Sequence, residues 1–477
     1  MDRLQKWLLQ HGVSVDQRLA LVRRSDSSAA VDALSDILPG TTLARIPKSA
    51  CLSHRTSSLS LPPERLDELS PAIRLTLHVA HEIRLGTESL WAEYLSACPP
   101  ASSIPAALLW DRDEDADALA WLRGTLVERE VRKLGYDKRW LELFHTRYAG
   151  DLYAAAGVSL PPLPVFLHAC TLVASRAFQI DTYHGLALVP LADLFNHSDS
   201  PHVHLASDHW VCSVCGALDV CPHDSQPGDA TEPLEDPPAK RQERAADTCD
   251  MVSERYVAAR HEVFNTYGPL SNAQLLASYG FVLEANEFDC LLFDDSLVCE
   301  ATGHDGSTQK GLRDRLLATE QWLRDARGVG MAAHFAAHPL ITDARLSDAL
   351  CIDADGRLDS RFFLLLVSLT RDLTVVDADD FGDLARASFG VARSLEQAVT
   401  GTEPLEADVG NIAQTDPTAG AIAARVAAAI VRLCNLHQNR QRSPDSSAAN
   451  LLDTADQLAT QASRPFRWPG VFRAWPR

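Results

Sequence analysis

The chain has no apolar stretch approaching the roughly 18 residues that a membrane-crossing helix needs. The longest run, FFLLLVSL at Phe362 to Leu369, reads as a core element. A secretory signal is also missing. The opening MDRLQKWLLQHG puts Leu4, Trp7 and Leu8 at helical spacing and stops at Gly12, with no apolar signal core and no small-residue cleavage site. It reads as the first helix of the folded protein. Positive charge is short: 44 Lys and Arg stand against 64 Asp and Glu, a formal net charge of −20. That balance disfavours nonspecific binding to nucleic acid or anionic membrane and suits a basic protein or peptide partner. No internal repeat stands out. Eleven cysteines without a secretory signal point to a reducing compartment, cytoplasm or nucleus. There cysteines serve as buried thiols, metal ligands or redox groups rather than disulfides.

The chain does have enough length and apolar content for a large core. At 477 residues, 46% hydrophobic and 23% charged, it suits a soluble globular protein of two or three domains, acting as a monomer. After the first helix, RLALVRR and TTLARI read as strands, the second preceded by a Pro39-Gly40 turn. From Ser70 to about Tyr148 the period becomes helical, with Leu75, Val79 and Ile83 one turn apart and Leu119, Leu122 and Leu126 repeating the pattern. Pro99, Pro100 and Pro105 break this block. A helix PVFLHACTLVASRAF follows from Pro164. Residues 199–254 read as an insertion, with twelve acidic against three basic residues for a net −9, and its part from Asp224 to Asp247 is too polar to fold alone. Beyond Cys299 the pattern is helical: Leu312, Leu316 and Leu323 share a face, as do Ile422, Val426, Ile430 and Leu433. The tail after Arg442 has no clear period.

Two stretches organise the chain. In HGLALVPLADLFNHS, a buried apolar run ends at Asp193, Asn196, His197 and Ser198, so a carboxylate, an amide and an imidazole arrive together. Such groups are either paired at a turn or poised for a ligand. In HEVFNTYGPLSNAQLLASYGF a strand ends at Tyr267-Gly268-Pro269. Ser271 and Gln274 then make a capping box for a short helix that Gly280 stops. That geometry gathers Tyr267, Tyr279 and Phe281, either as an aromatic wall or as ordinary core packing.

With SRAF at Ser175 upstream, these stretches resemble the SET-domain methyltransferases, and more closely the subgroup typified by the Rubisco large-subunit lysine methyltransferase. The likeness extends from LSDILPGTTLARIPKSACLS at Leu34 through WAEYLSACPP and LLWDRDEDADALAWLRGT to Phe281. It implies an α+β fold: a β-rich SET domain over 1–300 with a helical insert at about 62–163, then an all-α substrate-binding domain over 301–477. It implies methyl transfer from S-adenosylmethionine to a protein lysine, on a non-histone target such as a ribosomal or translation protein. Histidine as acceptor, and a catalytically silent scaffold, remain alternatives. The resemblance makes Tyr267 the catalytic phenol at the methyl-transfer channel. It assigns Asn196, His197, Arg176 and Phe281 to the cofactor and Asp193 and Tyr279 to the substrate. Two departures stand out: there is no glycine between Gly12 and Gly40, where the family has a glycine-rich cofactor loop, and His261 precedes Glu262 where the family commonly has glycine.

Inside the insertion, CSVCGALDVCPHD offers Cys212, Cys215, Cys221 and His223, with Cys249 further on. A Cys-x-x-Cys-Gly knuckle followed by Cys-x-His supplies four ligands, enough for a closed structural zinc site. Unliganded thiols in a loop are the other reading.

Overall fold

The Leu4, Trp7 and Leu8 stripe forms α1 (Asp2–Gln10), buried along that face, and Gly12 in the left-handed region (φ +74°) turns the chain out of it. Only glycine adopts that φ without cost. The computed structural model describes residues 1–24, 28–62, 68–218, 221–223, 247–303, 350–370 and 419–441, with scattered positions between them. It forms two units, Met1–Arg123 with Val127–Val282, and Gly124–Leu126 with Leu283–Arg477.

The first unit is built from three small sheets and a helical block. β1 (Ser14–Val15), β2 (Leu19–Arg23), β3 (Ala29–Ala33), β4 (Thr42–Pro47) and β5 (Leu52–Ser53) come first. The expected helical stretch follows as α2 (Pro71–Leu85), α3 (Ala92–Ala97), α4 (Ala116–Leu122), α5 (Leu126–Lys133), α6 (Lys138–Phe144) and α7 (Gly150–Ala155). Ser70 caps α2, its hydroxyl accepting the Ile73 N–H at 3.4 Å, and Pro71 sits at the first helical position where its missing N–H costs nothing. The expected Leu119–Leu122–Leu126 face is not continuous. Gly124 at φ +74° separates α4 from α5. Then come α8 (Leu163–Arg176), β6 (Ala177–Asp181), β7 (Gly185–Leu188), β8 (Val203–Ser207), β9 (Thr248–Ser253) and α9 (Asn272–Ser278).

The sheets run β1-β4-β9-β8, β2-β3 and β5-β7-β6. In β9 the alternate residues Cys249, Met251 and Ser253 are buried, the period of two that a half-covered strand requires. α2 packs on α8, burying Leu75, Leu77 and Val79 against an apolar face that includes Phe166, Cys170 and Leu172. Each such side chain contributes about 1.5–3 kcal/mol. β8 and β9 lie inside the expected 199–254 insertion, so the two ends of that stretch are strands of the first sheet. Residues 224–246, expected to be mobile, lie outside the described residues, as do Leu323 and the tail after Arg442.

The second unit corrects one expectation. Its described helices are α10 (Asp295–Thr302), α11 (Ser360–Thr370) and α12 (Ala419–Gln441), but it also holds a four-stranded sheet. The strands are β10 (Cys290–Leu292), β11 (Ile341–Thr342), β12 (Cys351–Asp353) and β13 (Leu358–Asp359), in the order β10-β12-β13-β11. This region is therefore not all-α over the described residues. Strands of two or three residues are too short to carry a readable period. α11 is the apolar run foreseen as a core element, buried from Ser360 to Leu369. The Ala419–Asn439 part of α12 is long and apolar enough to cross a membrane by length and composition, with mean hydropathy 1.5. The run-length reading missed it because Arg425 and Arg432 interrupt the apolar sequence. Ile422, Val426 and Leu433 are buried in the same cluster as α11.

Candidate functional site

β7 delivers the first organising stretch to the interior. Leu191, at φ +82° and ψ −47°, then turns it sharply into a single 3-10 turn, Ala192–Leu194. A leucine in that region is strained by roughly 1–3 kcal/mol. The strain is tolerated because Val189, Leu191, Ala192 and Phe195 are all buried around it. The second stretch runs beside the first. Asn265 N–H donates to the Asn196 carbonyl (2.8 Å) and Ser198 N–H to the Asn265 carbonyl (3.1 Å), a parallel bridge that pairs His197 with Asn265. α9 follows with the capping box foreseen, Ser271 and Gln274 each bonding the other's backbone, and Gly280 at φ +77° ends it.

These two strands bring four rings together. His197 stacks on Tyr267 (centroids 5.0 Å apart, planes 24°) and Tyr267 on Tyr279 (4.9 Å, 20°). Phe281 stands steeply to both tyrosines at 6.4 and 6.2 Å. Edge-to-face and offset contacts of this kind each contribute about 0.5–1.5 kcal/mol beyond burial. The Tyr267 N–H donates to His197 Nδ1 (3.1 Å), so in the neutral imidazole Nε2 carries the proton. Burial lowers the His197 pKa from its ordinary value, which keeps that neutral form in place. Burial likewise raises both phenols, Tyr279 to about 12 and Tyr267 well above the usual range. Both are therefore neutral at any working pH. The Tyr267 hydroxyl donates weakly to the Phe195 carbonyl at 3.4 Å.

A buried ion pair completes the site. Arg176, from the end of α8, reaches the Asp193 carbonyl (2.8 Å) and carboxylate (3.2 Å), and the buried Tyr94 hydroxyl donates to the same carboxylate oxygen at 3.0 Å. Burial raises the Asp193 pKa although Arg176 and Tyr94 act against the rise. Two clefts meet at the tyrosines. One of about 170 Å³ is lined by Arg176, Phe178, Asp193, Thr266, Tyr267 and Tyr279. The other, of about 200 Å³, has Glu130, Leu134, Gln274, Tyr267 and Tyr279 in its walls.

Sequence reasoning singled out Arg176, Asp193, Asn196, His197, Tyr267, Tyr279 and Phe281. Of these, His197, Tyr267, Tyr279 and Phe281 form one cluster, and Arg176 and Asp193 line a cleft with two of its rings. Asn196 is turned aside: its amide donates to Glu262 Oε1 (2.7 Å) and to the Ala29 carbonyl (3.2 Å). Glu262 in turn pairs with Arg24, which also holds Asp32. Residues 25–27, in the middle of the glycine-free stretch, lie outside the described residues. Asn265 and Tyr94 were missed. Asn265 lies two residues before Tyr267 within FNTYG, and Tyr94 lies within WAEYL, so the motifs held them without marking them.

Several buried polar atoms here have no partner among the described residues: His197 Nε2, both side-chain atoms of Asn265 (1% exposed), Asp193 Oδ1 and Arg176 Nε. Leaving such atoms unpaired costs about 1–3 kcal/mol each. A donor at His197 and an amide able to donate and accept at Asn265 fit a polar ligand that carries both kinds of group, as S-adenosylmethionine does.

The insertion's four candidate ligands also converge. The sulfurs of Cys212, Cys215 and Cys221 and a ring nitrogen of His223 lie within 4.8 Å of one another. Backbone N–H groups of Cys215 and Val214, directed at Cys212, pull its thiol down to about 6. Cys249 is not part of the group. It is buried in β9, 3.8 Å from the Ser207 hydroxyl.

The fold is that of the SET-domain methyltransferases. It superposes on the SET domain of LSMT solved with methyllysine and AdoHcy, with a TM-score of 0.50 and 16% identity, covering 98% of this chain and 96% of that one. Among curated proteins, the chain is 34% identical to ribosomal lysine N-methyltransferase 3 of Saccharomyces cerevisiae over 27% of its own length and 30% of the relative's. It is 24% identical to the N-lysine methyltransferase SETD6 of Mus musculus over 66% of this chain and 61% of that protein. No family model matches. The chain thus spans between under a third and about three fifths of the curated relatives it matches.

Proposed function

We infer that the chain is an S-adenosylmethionine-dependent protein-lysine N-methyltransferase acting on a non-histone protein, with a ribosomal or translation protein the first class to test. The observation that carries this is the His197–Tyr267–Tyr279 stack, with the unpartnered His197 Nε2 and Asn265 amide beside it. The yeast and mouse relatives, both lysine methyltransferases by name, support the same reading. When bound, the cofactor supplies a methyl on a sulfonium, already a strong electrophile. The protein's own task is alignment and exclusion of water. Asn265 and His197 hold the polar parts of the cofactor, and Asn196 fixes the crossing by gripping Ala29 and Glu262. Tyr267 presents a neutral oxygen where weak C–H···O contacts can form. Tyr279 and Asp193 receive the acceptor side chain, with Arg176 and Phe281 on the cofactor side.

A net charge of −20 supports a basic protein substrate and disfavours nucleic acid and anionic membrane as partners; a monomer in cytoplasm or nucleus completes this reading. A structural zinc on Cys212, Cys215, Cys221 and His223 accompanies this reading. It lies at the opposite end of β8 and β9 from the rings and takes no part in methyl transfer. The glycine-free stretch between Gly12 and Gly40 favours a second reading, a silent scaffold that binds a partner. Calorimetric titration with S-adenosylmethionine separates the two, since heat of binding is expected only for the enzyme. Tyr267→Phe is expected to cut incorporation of labelled methyl into lysate proteins by about five- to thirty-fold, from the loss of roughly 1–2 kcal/mol of contacts. Unchanged incorporation would remove Tyr267 from its role.

A further inference from the structure

The Cys/His group at the start of the insertion is independent of the methyl-transfer site, and its geometry is that of ligands around a metal. His223 Nδ1 lies 3.6 Å from Cys212 Sγ and 3.6 Å from Cys221 Sγ. Around a tetrahedral zinc, with Zn–S about 2.3 Å and Zn–N about 2.0 Å, a sulfur and a nitrogen sit about 3.5 Å apart and two sulfurs about 3.8 Å apart. One ring nitrogen has a single lone pair, which accepts one thiol hydrogen bond well. Two sulfurs at equal distance from it are explained by an ion between all three. The backbone is shaped to match. Gly216 N–H bonds the Cys212 carbonyl (2.8 Å), Cys212 N–H bonds the Ala217 carbonyl (2.9 Å), and Gly216 sits at φ +74° just after the second cysteine.

The knuckle is also seated. A Cβ at Gly216 would come within 2.8 Å of the Tyr183 ring, so only glycine lets the loop lie on that face. Arg55 stacks over the same ring at 4.6 Å and reaches the Tyr183 and Ser213 carbonyls. Thr182, in the turn between β6 and β7, donates from its backbone to the His209 carbonyl (3.1 Å) and from its hydroxyl to the Val211 carbonyl (2.6 Å). Lys48, 2% exposed, joins the two ends of the insertion: its ammonium takes the Asp208 carbonyl (3.1 Å) and the Asp247 carboxylate (2.7 Å), together with Asp181 (2.9 Å). Among the knuckle's described apolar side chains only Val211 and Cys221 are buried, while Trp210 is 85% exposed and Val214 60%. Such a segment needs a staple other than a core.

We propose that Cys212, Cys215, Cys221 and His223 bind one zinc ion in a closed, structural site that holds residues 209–218 and 221–223 on Tyr183 and Arg55. Binding replaces the three thiol protons, which leave to solvent, and forms three Zn–S bonds and one Zn–N bond. All four positions are filled by protein, so the ion has no open position for catalysis.

The test uses the full chain purified without chelators. Metal analysis is expected to give one zinc per chain, and X-ray absorption three sulfurs and one nitrogen around it. Cobalt exchanged into the site is expected to show the ligand-field bands of a tetrahedral thiolate centre. Cys221→Ser is expected to lose the zinc, whereas His223→Cys, which restores four ligands, is expected to keep it. Stripping the metal with phenanthroline is expected to increase proteolytic cutting within 209–223 several-fold while S-adenosylmethionine binding is unchanged, which separates this site from the methyl-transfer reading. A chain with no zinc, zinc content equal in wild type and Cys221→Ser (an adventitious ion only), or proteolysis indifferent to metal removal would overturn the assignment.

Discussion

Asp193→Ala tests the buried pair under the candidate site. The substitution leaves the Arg176 guanidinium with the residue-193 carbonyl and no counter-charge, and strips the Tyr94 hydroxyl of its acceptor in a fully buried setting. Removing one partner of a buried pair costs about 3–5 kcal/mol, and an orphaned buried hydroxyl about 1–3. The two losses share an atom and do not add fully. About 4 kcal/mol is the expected destabilisation of the first unit. For a unit of this size, about 2–4 °C of Tm is lost per kcal/mol, so its calorimetric transition should fall by at least about 8 °C. Asp193→Asn keeps an acceptor for Tyr94 and removes only the charge, so it should cost distinctly less. Arg176→Met completes a double-mutant cycle, with an expected coupling above about 1 kcal/mol. If Asp193→Ala and Arg176→Met add within about 0.5 kcal/mol, the two groups do not act as a pair.

Asn265→Ala removes no hydrogen bond of its side chain, because neither amide atom has a partner among the described residues. Thermal stability without cofactor should therefore change little, while the Kd for S-adenosylmethionine should rise by about ten-fold or more, as loss of a ligand hydrogen bond of about 1.5 kcal/mol requires. An unchanged Kd would show that the amide faces something else. His78 is buried in α2 with neither ring nitrogen hydrogen-bonded among the described residues, and burial lowers its pKa from 6.5 to about 3. Because the folded value is the depressed one, this histidine's contribution is intact above pH 6.5 and is lost as pH falls toward about 3. Between pH 6.5 and 4 the first unit should lose about 3 kcal/mol through it. His78→Leu should flatten that slope in urea titrations, and an identical slope in the variant would count against the assignment.

Periodicity is legible where one face decides the structure. Leu4, Trp7 and Leu8 form the buried face of α1, and Ser271 with Gln274 form the cap of α9, because each depends on residues within one or two helical turns. What was not legible depends on distant partners. β8 and β9 fall in a stretch that reads as insertion by its acidic composition, yet β9 pairs with β4 and β8 with β9, which makes them part of the first sheet. The same holds in the site. Tyr267 stood out by the Gly-Pro after it, but nothing local distinguishes Asn265 until its bridge to His197 is formed. Tyr94 gains its meaning from Asp193, 99 residues away.

The protonation states around the rings make a final prediction about rate. An acceptor lysine must lose its proton before it can attack, and its unperturbed pKa is about 10.4. The raised pKa values of Tyr267 and Tyr279 exclude a phenolate base at neutral pH, and Asp193 is committed to Arg176 and Tyr94. Glu130, in the wall of the second cleft, is held by Lys133 at 2.8 Å. Among the described residues, each carboxylate lining the two clefts is already paired with a cation, so the proton leaves to solvent as the side chain enters. On the methyl-transfer reading, the rate at subsaturating acceptor should rise close to ten-fold per pH unit between about pH 7 and 9, the slope of a single deprotonation. Tyr279→Phe should leave that slope unchanged. A plateau beginning near pH 7 would require a base inside the site, and would contradict the neutral state of the two phenols.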